Sequence, residues 1–357
     1  MSGTALEVAE PSTRLDGELR TLYPASTPFE TGTLGVSDLH TIYYEVHGNP
    51  RGAPALFLHG GPGAGCYPNH ARFFDPAHYK IVLLDQRGCG RSAPRGCLKD
   101  NTTAALVSDL EALRSHLRID SWAAVLGGSW GSALAVAYAQ AHPGSTRALV
   151  LRGVCLMRPQ EIGWMYAPPA AGGGAAALRP RQYAAFAGGL PPRERGNPLL
   201  GHYARLVSGD DAEREAAARA WMGWEMAAYS FTTAARAAQQ QQPPAAAGGA
   251  AAAPAAPPPP QPAPEALLTA HYSLHGGFLL DAPLLDPDLL SPLRDRVICL
   301  AVQGGADLVC PPASAFELSE AWPEAEVAIV AGAGHSMYDP AVTHELVVAT
   351  DRLRALA

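Results

Sequence analysis

Three residues whose side chains could together carry out nucleophilic catalysis lie just after strand-like segments of this chain. Residues 127–131 read Gly-Gly-Ser-Trp-Gly, between the apolar run 122–126 and an alanine-rich stretch. A serine on so sharp a strand-to-helix turn needs small neighbours, and its hydroxyl is then exposed at the carboxyl end of a sheet. The pattern makes Ser129 a candidate nucleophile, although ordinary glycine-rich turns share the same spacing.

A serine hydroxyl needs a base to accept its proton and a carboxylate to orient that base. The apolar run 297–303 ends in Gly-Gly-Ala-Asp, which puts Asp307 on the following loop, and the run 326–330 leads into a loop that contains His335. Alone, such an aspartate is a turn former, and such a histidine is a helix cap or a surface residue. The order Ser, Asp, His after successive strands instead predicts a catalytic triad.

A glycine-rich loop, His-Gly-Gly-Pro-Gly at 59–63, follows another apolar run. Its glycines let backbone N–H groups face a developing negative charge. Gly60 or Gly61, with the N–H of Trp130, is therefore predicted to form an oxyanion hole. His59 of the same loop is predicted to contact substrate. A phosphate-cradling loop is the alternative, but the spacings Gly-x-Gly-x-x-Gly and Gly-Lys-Ser/Thr are missing here.

The elements that must position these residues alternate between strands and helices. Four leucines (106, 110, 113 and 117) share one face of a predicted helix. This alternation predicts the α/β class, with a mostly parallel, doubly wound sheet built from residues 30–153 and 291–357. The predicted strands are 41–46, 55–58, 81–84, 123–126, 148–151, 297–303 and 326–330.

Residues 154–290 break the alternation and are expected to form a helical cap over the active face. They contain a segment rich in Ala, Arg and Glu at 211–229 and a low-complexity run of Ala, Gln and Pro at about 234–264. Such a run cannot bury a core, so we expect a disordered surface insertion, and a ligand for a polyproline-binding partner is the alternative. Residues 1–29 are expected to be an N-terminal extension.

With these motifs in place, the chain resembles the prolyl aminopeptidases (proline iminopeptidases), serine peptidases of the α/β-hydrolase fold. The resemblance covers most of residues 30–350. It is carried by HGGPG at 59–63, DQRGCGRS at 85–92, NTT at 101–103, GGSWGSALAVAYAQ at 127–140, LVLRG at 149–153, VQG with DLVCP at 302–311, and GAGHS at 332–336. It implies release of N-terminal proline from peptides through an acyl-enzyme, with no metal or cofactor. Ser129, Asp307 and His335 would be the nucleophile, the orienting acid and the general base.

Recognition of a free N-terminus requires a group that binds a protonated amine. A carboxylate in a partly desolvated pocket does this well, because ion pairing strengthens as water is excluded. In the resembled family a glutamate of a Trp-Glu pair contacts the amine, and Trp224 and Glu225 match that pair. Without the resemblance, Glu225 would be interpreted as a solvated helix glutamate.

The second cap segment departs from the resembled family. There another glutamate contacts the amine, and Thr269 occupies its position here. Glu265, one helical turn earlier, could substitute, but Pro262 and Pro264 beside it argue against that role.

Composition excludes several other classes of protein. The 357 residues are 48% hydrophobic, enough for one large core with an inserted subdomain, and the formal net charge of −7 disfavours nucleic acid as a partner. Six cysteines without Cys-x-x-Cys spacing argue against a zinc site or a disulfide framework and favour a reducing compartment. With no membrane-length apolar run and no basic-then-apolar leader, we expect a cytoplasmic enzyme that does not bind membranes.

Three interpretations remain open from the sequence. The first is an exopeptidase specific for N-terminal proline. The second keeps the triad but hydrolyses a neutral ester or amide, because the amine site is incomplete. The third is a catalytically silent homologue that binds a small molecule.

Overall fold

The computed structural model describes residues 19–229 and 263–356, which build an eight-stranded sheet flanked by helices. The strands are β1 (Glu30–Gly35), β2 (Thr41–Gly48), β3 (Ala53–Leu58), β4 (Tyr79–Asp85), β5 (Ala124–Gly128), β6 (Ala148–Arg152), β7 (Ile298–Gly304) and β8 (Glu326–Val330). Their spatial order is β1-β2-β4-β3-β5-β6-β7-β8. β2 pairs antiparallel with β1 and β4, and the other pairs are parallel. The predicted class and the mostly parallel sheet are confirmed.

Helices follow most of the strands, and others lie in the described parts of the interval between β6 and β7. The α-helices are α1 (Thr103–His116), α2 (Trp130–Ala141), α3 (Pro159–Tyr166), α4 (Gly174–Leu178), α5 (Pro180–Gly188), α6 (Pro198–Ser208), α7 (Asp211–Tyr229), α8 (Ala263–Leu274), α9 (Pro287–Leu290), α10 (Pro312–Ala321) and α11 (Pro340–Arg352). Short 3-10 helices span Pro68–Phe73, Pro169–Ala171, Pro192–Glu194, Gly276–Phe278 and Leu353–Leu356. Across residues 19–229 and 263–356, none of the helices has the length and apolar character needed to cross a bilayer.

Alternate residues of the central strands face two opposite cores. Leu56 and Leu58 of β3 belong to the cluster that includes the leucine face of α1 and most of α2. Phe57, between them, belongs to the cluster on the other side of the sheet, which α11 covers. Parallel strands buried on both faces are continuous apolar runs. The predicted strands were recognisable in the sequence for this reason.

The edge strand β1 was not predicted. Its sequence, ETGTLG, has no alternating apolar pattern, and the strand is largely exposed. Its backbone pairs with β2 from Glu30 opposite Val46 to Gly35 opposite Thr41. Pairing along the sheet edge, rather than side-chain burial, therefore defines this strand.

The described residues between β6 and β7 form a helical unit with an aromatic core of its own. Trp221 and Trp224 of α7 pack there with Phe186 and Tyr183 of α5. Helix α7 covers the predicted segment 211–229. The predicted insertion at 234–264 lies outside the described residues except at its end, where α8 begins.

Of the predicted N-terminal extension, residues 19–29 are described. They are attached to the rest of the fold by backbone hydrogen bonds. The Tyr23 N–H donates to the Arg72 carbonyl (2.9 Å), and the Phe29 N–H donates to the Val46 carbonyl of β2 (2.9 Å).

Candidate active site

Ser129 lies on the turn between β5 and α2, with φ 56° and ψ −125°. This positive φ is unusual for a residue with a side chain, and it turns the side chain away from the end of the strand, where Ser129 is largely buried. The flanking glycines are required sterically. A Cβ on Gly127 would lie 2.1 Å from the Gly131 carbonyl oxygen, and a Cβ on Gly131 would lie 2.1 Å from the Leu58 carbonyl oxygen. The Gly-x-Ser-x-Gly pattern is thus a packing requirement of this turn.

Asp307 and His335 follow β7 and β8 and are both almost fully buried. The His335 Nδ1–H donates to Asp307 Oδ2 (2.6 Å). The other carboxylate oxygen, Oδ1, accepts from the backbone N–H groups of Val309 (2.8 Å) and Cys310 (2.9 Å). These bonds fix the carboxylate and, through it, the tautomer and orientation of the imidazole.

The second ring nitrogen of His335 is held by a residue that the sequence analysis did not identify. Arg152, the last residue of β6, is buried and donates from Nη1 to His335 Nε2 (2.9 Å) and to the His335 carbonyl (2.9 Å). Burial, and secondarily the Arg152 charge, lowers the pKa of His335, although Asp307 opposes the shift. This shift favours the neutral imidazole, the form that can accept a proton.

Ser129 lies at the same end of the sheet, but it is not hydrogen-bonded to His335 in the described structure. Its Oγ is 3.9 Å from the Cys310 sulfur. Catalytic contacts are often loose without substrate. The structure therefore brings Asp307 and His335, the predicted acid and base, together. Contact between Ser129 and His335 would require His335 Nε2 to exchange Arg152 for Ser129.

The predicted oxyanion loop packs directly on the serine turn. A Cβ on Gly60 would lie 2.9 Å from the Gly128 carbonyl oxygen and 3.2 Å from Ser129 Cβ, so the loop backbone can approach the nucleophile only because this residue is glycine. The loop glycines Gly60 and Gly61 both line the cavity around Ser129.

Gln86, directly after β4, connects this loop to the serine turn. Its side-chain Nε2 donates to the His59 carbonyl (2.9 Å), and its Oε1 accepts from Trp130 Nε1 (2.9 Å). One buried amide thus joins the two backbone segments that were predicted to supply the oxyanion hole.

A cavity of about 250 Å³ lies between the sheet and the cap and contains both Ser129 and His335 in its wall. Apolar side chains form much of the remaining wall: Phe57, Ile162, Met165, Met222, Met226 and Val309. The acidic residues Glu161, Glu225 and Glu265 also line it. The space suits a small, largely apolar group that carries a positive charge.

Glu225, on α7, is one of the three acidic residues that line this cavity. Its Oε1 accepts hydrogen bonds from the Tyr166 hydroxyl (2.7 Å) and from Trp221 Nε1 (2.9 Å). Burial raises its pKa to about 7, and the negative charge of Glu265 adds to that rise, while the two donors oppose it. The carboxylate is therefore held in place but poorly solvated.

The other two predicted substrate contacts differ in position. Trp224 is buried in the aromatic core of the cap, donates from Nε1 to the Met165 carbonyl (3.1 Å), and is not among the residues that line the described cavity. His59 does line the cavity, and its Nε2 accepts from the Gln86 N–H (3.0 Å). Their roles as substrate contacts stay predictions, and the placement of Trp224 does not favour one.

Arg152 and Gln86 each stand where a buried strand ends at the active edge of the sheet. A polar residue at that point of an otherwise apolar run was the signal that could have identified them. In the described ranges, no group of His, Cys, Asp and Glu is arranged to hold a metal ion.

Comparisons with known proteins agree with this geometry. Residues 54–341 match the family described as the alpha/beta hydrolase fold. Among solved structures, an alpha/beta fold family hydrolase from Bacillus anthracis str. Sterne is 17% identical with a TM-score of 0.57, covering 91% of this chain and all of that one. A proline iminopeptidase-related protein from Thermus thermophilus is 18% identical with a TM-score of 0.51, covering 91% and 97%. At this identity they show the shared fold.

Curated relatives are much closer in sequence. A proline iminopeptidase from Arabidopsis thaliana is 44% identical over 340 residues, which is 94% of this chain and 83% of that protein. A proline iminopeptidase from Xanthomonas citri is 42% identical over 335 residues, 93% and 99% of the two chains, and one from Neisseria gonorrhoeae is 40% identical over 331 residues, 92% and 98%. The chain belongs to the proline iminopeptidase family of α/β hydrolases.

Proposed function

We propose that this protein is a serine aminopeptidase that releases proline from the N-terminus of peptides. One observation carries the proposal: a partly buried carboxylate, Glu225, lines the same small, largely apolar cavity as Ser129 and as His335, which is bonded to Asp307. A peptide whose terminal amine pairs with Glu225 would place its first carbonyl in the same small cavity as Ser129. This geometry supports cleavage after one residue.

In the first half of the reaction, Ser129 Oγ attacks the carbonyl carbon of the first residue while His335 Nε2 takes the hydroxyl proton. The carbonyl oxygen becomes an oxyanion, which backbone N–H groups of Trp130 and of Gly60 or Gly61 stabilise. The imidazolium then gives its proton to the nitrogen of the leaving peptide. The C–N bond breaks, and the first residue remains as an ester on Ser129.

In the second half, water replaces the departed peptide. His335 takes a proton from the water as it attacks the ester carbonyl, and then returns that proton to Ser129 Oγ as the C–O bond breaks. The ion pair of Asp307 with the imidazolium stabilises both tetrahedral states. Arg152 has to release Nε2 before each step in which His335 takes up a proton, since that nitrogen cannot accept two hydrogen bonds in the ring plane.

Three substrates test this function: a proline arylamide, an alanine arylamide and a simple acyl ester. We expect the highest kcat/KM for the proline arylamide. Ser129→Ala is expected to lower kcat by about 10⁴-fold or more on every substrate, without a change in melting temperature, because the hydroxyl forms the covalent intermediate. A faster ester reaction with no hydrolysis of the arylamides would instead indicate a neutral ester or amide hydrolase.

If turnover of the Ser129→Ala protein stayed within about tenfold of the parent, Ser129 would not be the nucleophile. A matched Ser108→Ala variant controls for the loss of a helix hydroxyl, because Ser108 is exposed on α1.

We propose a peptide substrate and a cytoplasmic location. All six cysteines lie among the described residues and are free thiols, which supports a reducing compartment.

A further inference from the structure

Part of the cavity wall comes from the core of the fold rather than from the cap. Tyr67 and His70, which follow the glycine-rich loop, line it together with Tyr338, three residues after His335. The His70 ring stacks on Phe57 of β3, with ring centroids 4.2 Å apart, and Tyr338 packs against the core cluster on the same face of the sheet. We call Tyr67, His70 and Tyr338 the aromatic wall.

The Tyr338 hydroxyl lies on the aromatic wall without a hydrogen-bond partner. Its oxygen is buried, and no group within residues 19–229 and 263–356 forms a hydrogen bond with it. Burial raises the pKa of Tyr338, so the hydroxyl keeps its proton and can donate it. Buried polar groups are nearly always hydrogen-bonded in folded proteins, because burying one alone costs free energy. The hydroxyl is therefore available to an acceptor that enters the cavity.

The other polar groups of the aromatic wall are uncharged. The Tyr67 N–H donates to His70 Nδ1 (3.1 Å), so the proton of the neutral imidazole is on Nε2. Burial lowers the pKa of His70 to about 3, and electrostatic repulsion from His59 and Arg152 adds to the shift. Burial raises the pKa of Tyr67 to about 12, so its hydroxyl is also protonated. The wall thus offers O–H and N–H donors and no charge of its own.

The Tyr338 hydroxyl is also close to the predicted general base. The Tyr229 ring packs edge-on against His335, with ring centroids 5.1 Å apart. Tyr229 and, to a smaller extent, Tyr67 contribute electrostatically to the raised pKa of Tyr338, so these phenol groups lie near one another. In the proposed reaction the leaving nitrogen receives its proton from His335. The residue that carries this nitrogen must then lie beside His335, where the aromatic wall begins.

We propose that the aromatic wall binds the first residue of the leaving peptide, and that the Tyr338 hydroxyl donates a hydrogen bond to the backbone carbonyl of that residue. The inference rests on the proposed aminopeptidase function and adds Tyr338 as a residue that determines specificity beyond the released proline. A peptide carbonyl fits this wall because it accepts a hydrogen bond and brings no charge that desolvation would penalise.

The test measures binding to the full chain carrying Ser129→Ala, which prevents turnover. L-Prolyl-glycinamide has the carbonyl of a second residue, and N-ethyl-L-prolinamide has the same amine and the same scissile amide without that carbonyl. Calorimetric titrations should show tighter binding of L-prolyl-glycinamide. Adding Tyr338→Phe, which removes only the hydroxyl, should weaken its binding by about tenfold, because one buried neutral hydrogen bond is lost. The affinity for N-ethyl-L-prolinamide should not change.

Tyr43→Phe is the matched control for the loss of a tyrosine hydroxyl. Tyr43 is half-buried on β2, its hydroxyl donates to Glu45 (3.1 Å), and it lies outside the described cavity wall, so both affinities should stay unchanged. The melting temperature of the Tyr338→Phe protein should be unchanged or higher, since the hydroxyl has no described partner to lose. A lower melting temperature would show that the hydroxyl holds the fold together and would count against the proposal.

Equal affinities of the two ligands for the Ser129→Ala parent would overturn the proposal. So would no binding of L-prolyl-glycinamide, no loss in the Tyr338→Phe protein, or an equal loss for both ligands. With Ser129 intact, Tyr338→Phe should leave kcat/KM for a proline arylamide little changed, because that substrate has no carbonyl after the scissile bond, and a marked loss would also count against the proposal. A parent chain that does not hydrolyse the arylamide would contradict the proposed function, whereas the binding measurements decide on the subsite.

Discussion

Gln86 connects the two segments that are predicted to supply the oxyanion hole, although it does not line the described cavity. Its amide bridges the His59 carbonyl and the Trp130 indole, so it sets the distance between the two backbone segments of the predicted oxyanion hole. Oxyanion stabilisation acts mainly in the transition state, and a loosened hole lowers kcat more than it raises KM.

We therefore expect Gln86→Leu to lower kcat by about tenfold or more, with KM for an acyl ester little changed. Steady-state kinetics with the ester would measure both constants. Gln140→Leu is the control, since Gln140 also donates to a carbonyl, that of Leu284 (3.0 Å), but lies outside the described cavity. An unchanged kcat, or a loss that falls entirely on KM, would show that Gln86 only fills space.

At the scale of secondary-structure elements, the strands and helices that could be predicted from the sequence are those whose burial requires a repeating apolar pattern. The seven predicted strands and the leucine face of α1 belong to this group. β1 was not predicted, because an exposed edge strand that pairs through its backbone does not need an alternating apolar sequence. The residues proposed for the triad could be predicted because each follows a recognisable strand. The direction in which Glu265 faces depends on where α8 begins, and a run of alanines and prolines does not specify that point.

The same composition gives a prediction for the segment between α7 and α8. Residues 239–262 consist only of Gln, Pro, Ala and Gly, so they add no large apolar side chain to any core. Deleting 239–262 should change neither the melting temperature nor kcat/KM for a proline arylamide appreciably, with residues 230–238 kept as the linker. A replacement by Gly-Ser repeats of equal length is the control for the shortened connection.

A large loss of activity in the deletion, restored by the Gly-Ser replacement, would mean that the length of this connection matters. A loss in both proteins would mean that its residues contribute to the substrate cleft.

At the scale of the whole molecule, the proposed mechanism depends on two ionisations, one beside the sheet and one in the cap. In the sheet, His335 must be neutral, and burial lowers its pKa against the opposing effect of Asp307. In the cap, Glu225 must be charged to bind an amine, and burial raises its pKa to about 7, with Tyr166 and Trp221 opposing and Glu265 adding to the rise. We therefore expect acidification to neutralise Glu225 at a higher pH than it protonates His335.

The two ionisations can be separated by the choice of substrate. The pH dependence of kcat/KM reports the pKa values of groups in the free enzyme. For a proline arylamide, we expect kcat/KM to fall as the pH drops below about 7, because protonated Glu225 can no longer pair with the amine. An N-blocked ester does not use Glu225, so its acid limb should reflect His335 alone and lie at lower pH. Glu225→Gln should lower kcat/KM for the arylamide and remove the limb near pH 7, while leaving the ester profile in place. If both substrates instead shared a single acid limb in the parent enzyme, the cap carboxylate would not be what recognises the amine.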